Sequence, residues 1–141
     1  YFKKELFFTD VEGKTKDEVL KNLCRKVEQE KGLPETFTAS VLKREELTPT
    51  DYGNLVALPH PERAFQERAF VAVAVLKEPI FWFRQKVQVV FLTAIGREED
   101  ENLQQFYEAT TDLILRPTDV QNLIRHPDYD RLIQLLRRAE E

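Results

Sequence analysis

At 141 residues, with 42% hydrophobic and 33% charged residues, the chain is long enough to bury a core without disulfide or metal staples and reads as soluble and globular. Its net charge of −4 argues against a nucleic-acid-binding module, which carries a basic face. A single cysteine, Cys24, excludes an internal disulfide framework and suits a reducing cytoplasm, and no apolar run approaches a membrane span. Nothing at the start reads as a signal peptide. The chain opens at Tyr1 and contains no methionine, so we expect one domain over 1–141 that is a piece of a longer protein.

In chain order, Glu5-Leu6-Phe7-Phe8 predicts a short edge strand or lead-in segment. Thr15-Lys16-Asp17-Glu18 has the form of a capping box opening a helix. Val19, Leu20, Leu23, Cys24 and Val27 make one apolar stripe at helical spacing, and Gly32 ends it. Cys24 on that stripe reads as a small core residue rather than a reactive thiol. After Leu33-Pro34, the residues Phe37, Val41 and Leu42 predict a second helix to about Glu46, with Arg44 in its last turn. There, a cation at a helix end, favourable against the macrodipole, is the ordinary reading.

The next stretch, Thr50 to Pro61, holds a histidine between two prolines at the end of a short apolar run. Proline fixes its own φ and pushes the preceding residue into the extended region, so Leu58 and His60 have few backbone alternatives. Gly53-Asn54 tolerates positive φ and marks a turn. The expected unit is a turn, a short buried strand, and an imidazole held stiffly at its end. A neutral imidazole so held can act as nucleophile or acid–base group near neutral pH. An inert loop histidine is the other reading, and residue type and spacing leave the two open.

A polar stretch, Glu62 to Arg68, leads to Ala69–Leu76, apolar on both faces as a strand inside a sheet would be. Lys77-Glu78-Pro79 is expected to break it. Ile80-Phe81-Trp82-Phe83 reads as a core or sheet-edge cluster, and Val87 to Ile95 as a second buried strand closed by Gly96. The acidic run Glu98-Glu99-Asp100-Glu101 suits a helix N-terminus. Leu103, Phe106, Tyr107, Thr110, Leu113 and Ile114 give that helix an inward face, ended by Arg116-Pro117. Val120, Leu123 and Ile124 mark a short helix stopping near His126-Pro127; Leu132, Leu135 and Leu136 mark a terminal one. The result is an α/β domain, a single mixed β-sheet flanked by helices, with strand order undetermined.

Several chemistries find no support. The four glycines are scattered, so there is no phosphate-cradling loop or dinucleotide fingerprint. Ser40, the only serine, falls in a predicted helix without a nucleophile elbow. Two distant histidines and one cysteine do not make a structural zinc site. Nothing singles out a carboxylate pair for glycoside hydrolysis among 25 acids. His126, before a proline at a helix end, suits a capping or exposed role.

The stretch around His60 nevertheless resembles a known family. Thr50, Gly53, Asn54, Ala57, Pro59 and His60 match the T-x-x-G-N-x-x-A-x-P-H signature of enzyme IIA domains of the fructose/mannitol type, from the sugar phosphotransferase system. Arg44-Glu45, sixteen residues before His60, matches the arginine–glutamate pair preceding that signature. Pro79-Ile80-x-Trp82 and Val87 to Leu92 look like the family's next strand pair, so the resemblance runs over nearly the whole chain.

The resemblance implies a mixed-sheet fold and a phosphoryl relay. His60 would accept a phosphoryl group from the histidine of the small carrier HPr and pass it to a cysteine of a cognate enzyme IIB. Arg44 is the natural clamp, because its planar, charged fork matches phosphoryl oxygens. No cofactor, metal or nucleotide is implied, and neither membrane insertion nor direct nucleic-acid binding by this domain. The family carries a second histidine at the start of the helix after the last buried strand, where this chain has Asn102. Asparagine donates a hydrogen bond but cannot relay a proton, which suits a sensor more than a high-flux transporter. The expected role is therefore the terminal module of a phosphotransferase-controlled transcriptional regulator. A transporter's phosphocarrier component is the alternative, and a binding module that takes no phosphate a third reading.

Overall fold

The computed structural model describes residues 1–98 and 102–140, with side chains through Arg137. The elements are β1 (Phe2–Phe8), α1 (Lys16–Lys31), α2 (Thr36–Leu47), β2 (Asp51–Gly53), β3 (Val56–Ala57), β4 (Phe70–Phe81), β5 (Lys86–Ala94), α3 (Leu103–Ile114), α4 (Pro117–Arg125) and α5 (Tyr129–Glu140). They form a mixed five-stranded sheet in the order β1-β4-β5-β3-β2. β4 and β5 pair antiparallel at its heart, β1 joins β4 in parallel, β3 joins β5 in parallel, and β2 closes the edge antiparallel to β3.

The period of two along β4 sorts its side chains between two cores. Phe70, Ala72, Ala74 and Leu76 pack with Val19, Leu23, Phe37 and Val41 of α1 and α2. Val71, Val73 and Val75 pack instead with Phe106, Leu113, Val120 and Leu132 of α3, α4 and α5. Helices thus cover both faces, which is why β4 and β5 read as unbroken apolar runs.

Thr15 caps α1, accepting from the Glu18 N–H at 3.2 Å. The reciprocal bond of a capping box goes one residue further back: Glu18 Oε2 accepts from the Lys14 N–H at 3.0 Å rather than from Thr15. Gly32 terminates α1 at φ 66°, a left-handed position that suits glycine.

Three expectations need correction. β4 is not broken at Lys77-Glu78-Pro79; it runs on to Phe81 across a register shift between Val75 and Ile80. A bulge absorbs the extra residues and tolerates the proline, which has no ladder N–H to give. The cluster Ile80–Phe83 divides, with Trp82 4% exposed and Phe81 63% exposed. Tyr107 does not face inward; Ala109 is buried in the inward face of α3. Glu99, Asp100 and Glu101 of the acidic run lie outside the described residues.

Candidate functional site

The site is built from a hairpin. β2 and β3 pair Gly53 with Val56, leaving Asn54 and Leu55 as the loop. Their φ values of 53° and 69° are those of a two-residue turn with both central residues left-handed, so the turn centres one residue later than Gly53-Asn54 predicts. Asparagine tolerates this conformation well and leucine poorly. The hairpin is tethered, because Asn54 Nδ2 donates to the Ile114 carbonyl at 2.7 Å, at the end of α3.

Beyond β3 the chain is fixed at nearly every residue. The Leu58 N–H donates to the Thr50 carbonyl at 3.0 Å, and the Pro59 carbonyl accepts from the Thr93 N–H at 3.0 Å. The Glu62 N–H donates to Ser40 Oγ at 2.7 Å, tying the exit of the segment to α2. His60, half-buried in the middle, has Nδ1 3.2 Å from the Leu58 carbonyl oxygen. A carbonyl only accepts, so Nδ1 carries the proton and the lone pair is on Nε2. His60 therefore presents a nucleophilic nitrogen whose tautomer is set by its own backbone.

His60 lines a cavity of about 250 Å³ together with Leu58 and Pro61 of the same segment and Thr93 and Ile95 at the end of β5. The opposite wall belongs to α3: Phe106, Tyr107, Thr110 and Thr111. The other candidate residues lie off these walls. Arg44, half-buried in the last turn of α2, donates Nη1–H to the Thr48 carbonyl at 3.0 Å, closing the helix end. Asn102 is the exposed N-cap of α3; its carbonyl accepts from the Phe106 N–H at 3.0 Å, and its side chain makes no capping hydrogen bond. His126 is exposed at the C-cap of α4.

Sequence reasoning passed over the residues that hold the site in place. Glu45, 1% exposed, accepts from the Thr50 N–H at 2.8 Å, from the Thr50 hydroxyl, and from Trp82 Nε1–H at 2.6 Å. One carboxylate thus joins α2, the residue that enters the β2–β3 hairpin, and the β4–β5 hairpin. The Arg44-Glu45 pair and Trp82 were both visible as motif positions, yet nothing in their spacing says they meet. Ser40, read only as a poor nucleophile, is a positioning hydroxyl. No group of three or more His, Cys, Asp or Glu residues able to hold a metal occurs among the described residues, and no described helix is long and apolar enough to cross a membrane.

Fold and site together define an α/β domain, helices on both faces of a mixed sheet, that presents one imidazole beside a small cavity at the end of β3. The chain belongs to the family described as phosphoenolpyruvate-dependent sugar phosphotransferase system, EIIA 2, whose model matches residues 1–139. It is 36% identical over 132 residues to a probable licABCH operon regulator of Bacillus subtilis, covering 94% of this chain and 21% of that protein. It is 26% identical over 120 residues to the transcriptional regulator ManR of the same organism, covering 85% of this chain and 18% of ManR. The chain thus spans about a fifth of the length of these curated relatives. Among solved structures, the complex of enzyme IIA mannitol with phosphorylated enzyme IIB mannitol from Escherichia coli is similar in fold, with a TM-score of 0.77 at 18% identity over 96% of this chain and 98% of that one.

Proposed function

We propose that the chain is a phosphoryl relay and sensor domain in which His60 accepts a phosphoryl group from phospho-HPr, and that it serves as a module of a phosphotransferase-controlled transcriptional regulator in the cytoplasm. The observation that carries this reading is the bond from His60 Nδ1 to the Leu58 carbonyl, within a segment pinned on both sides. It leaves Nε2 as the attacking atom. The Nε2 lone pair forms the new P–N bond while the donor histidine's P–N bond breaks and its electron pair returns to the donor ring. His60 keeps its Nδ1 proton throughout, and the Leu58 carbonyl faces the positive charge that spreads over the phosphorylated ring. No proton has to move, and no metal or nucleotide enters.

Phosphoryl transfer is mainly positioning and charge stabilisation, and Arg44 is the cation proposed to supply the second. Its bond to Thr48 is to a backbone carbonyl, with no carboxylate competing in it. Onward transfer would go to a cysteine of an enzyme IIB, and the reader of the phosphorylated state would be other domains of the same chain. The regulator reading draws support from the similarity to two transcription regulators, each much longer than this chain.

The test is incubation with phospho-HPr. We expect acid-labile, alkali-stable label on the parent chain and none on His60→Ala. Equal labelling of both proteins rules out the assignment.

A further inference from the structure

We propose that Thr110 is a binding residue for the phosphoryl group on His60, giving its hydroxyl to a phosphoryl oxygen; the inference rests on the function proposed above. Thr110 is 5% exposed, and its Oγ1 has no hydrogen-bond partner. A threonine inside a helix ordinarily returns its hydroxyl to a carbonyl three or four residues earlier. Thr110, in the interior of α3, makes no such bond. A buried hydroxyl left without an acceptor is costly, and such groups call for an explanation.

Its position supplies one. Thr110 lines the same cavity as His60. At about 250 Å³ the space exceeds the few multiples of the ~30 Å³ per water that a phosphoryl group needs. Its described walls contain no lysine or arginine, so apart from Arg44, which lies off them, the oxygens of a group held there have only neutral donors to find. Thr93, the hydroxyl on the β5 side, already lies 3.5 Å from the Phe91 carbonyl oxygen. Thr110 is the hydroxyl residue of this lining that is buried, and its donor is uncommitted. Rotation about χ1 exchanges its hydroxyl and methyl positions without moving the helix. Against a largely apolar lining, a neutral O–H aimed at a developing phosphoryl charge is worth more than in bulk water.

Thr110→Val keeps the shape and removes the hydroxyl; Thr110→Ser keeps the hydroxyl. With phospho-HPr as donor, we expect Thr110→Val to be phosphorylated on His60 about 10-fold or more slowly, somewhat less than the ~10²–10³ lost with an oxyanion-hole donor. Its phosphohistidine should also hydrolyse faster. Thr110→Ser should restore both rates, and the Tm of unphosphorylated Thr110→Val should equal or exceed the parent's, because a strictly structural threonine would not behave so. Parental rates in Thr110→Val overturn the inference and leave the proposed function intact. Slow transfer with a lowered Tm and no rescue by serine assigns Thr110 to packing and overturns it too. A parent chain that takes no label at His60 overturns the function and this inference together.

Discussion

Glu45 and Trp82 meet in a buried hydrogen bond, the indole N–H donating to the carboxylate across 2.6 Å between α2 and the β4–β5 hairpin. The same carboxylate holds Thr50 through its N–H and its hydroxyl. Because the Thr50 carbonyl in turn takes the Leu58 N–H, the position of His60 is referred back to α2 through Glu45.

Breaking that bond should be felt as stability first. A hydrogen bond to a charged group contributes about 1.5–3 kcal/mol, and a buried carboxylate deprived of a donor loses more than an exposed one. We expect Trp82→Phe to lower the Tm by roughly 3–10 °C in thermal unfolding. A double-mutant cycle with Glu45→Gln should give a coupling of at least about 1 kcal/mol. Additive effects of the two changes would mean the contact does not carry the stabilisation.

Arg44 should show the opposite balance. Its visible bond closes a helix end with a backbone carbonyl, an interaction worth about 0.3–1 kcal/mol. Its proposed role is charge stabilisation at the phosphoryl group, where one lost contact costs ~10²–10³ in rate at oxyanion-type sites. Arg44→Ala should therefore keep a near-parental melting curve and lose most of its phosphorylation rate. Normal transfer kinetics in that folded variant would return Arg44 to a helix-end cation.

Cys24 gives a pH-dependent prediction. Burial pushes its thiol far above the ordinary range, the Glu28 carboxylate adds to the shift, and the Thr38 hydroxyl opposes it only in part. The folded state therefore keeps a proton that the unfolded chain releases near the ordinary thiol value of about 8.5. Below that value the stability tied to this thiol is fully present; as pH rises above it, stability falls by up to about 1.4 kcal/mol per pH unit. Cys24→Ala should have a shallower alkaline decline than the parent in denaturant titrations between about pH 8.5 and 10. A native-state thiol reagent should leave Cys24 untouched over the same range, and rapid labelling of folded protein would contradict its burial.

Helices and inner strands were legible because their signals are local. The stripe from Val19 to Val27, the glycine at position 32 and the two apolar runs each follow from a period or a backbone preference within one segment. The imidazole between two prolines was legible for the same reason. The β4 bulge was not, because the same Lys-Glu-Pro residues end a strand or merely deform it according to what β5 offers opposite them. Likewise Ser40 and Glu45 acquire their roles only when Glu62 and Trp82 arrive from 22 and 37 residues away. Strand order is a property of the same long-range pairing, and no segment carries it alone.

The last prediction concerns Asn102, the N-cap of α3, which the family resemblance is expected to place at the second-histidine position. Replacing an N-cap asparagine usually costs stability because its side chain satisfies a free helix N–H. Here no side-chain capping bond is present, so Asn102→His loses none. Its consequence should appear in transfer instead. Histidine can hydrogen-bond a phosphoryl oxygen and also move a proton, whereas asparagine can only hydrogen-bond. A component of a transporter must discharge its phosphohistidine quickly to enzyme IIB. A regulator gains from the reverse, since the added charge must persist long enough to bias the domain that reads it. We therefore expect pre-phosphorylated parent chain to lose label slowly after a cognate enzyme IIB is added, and Asn102→His to lose it faster under the same conditions. Rapid discharge from the natural sequence, unchanged by Asn102→His, would remove Asn102 as the cause of slow transfer and favour a transport role over the regulatory one.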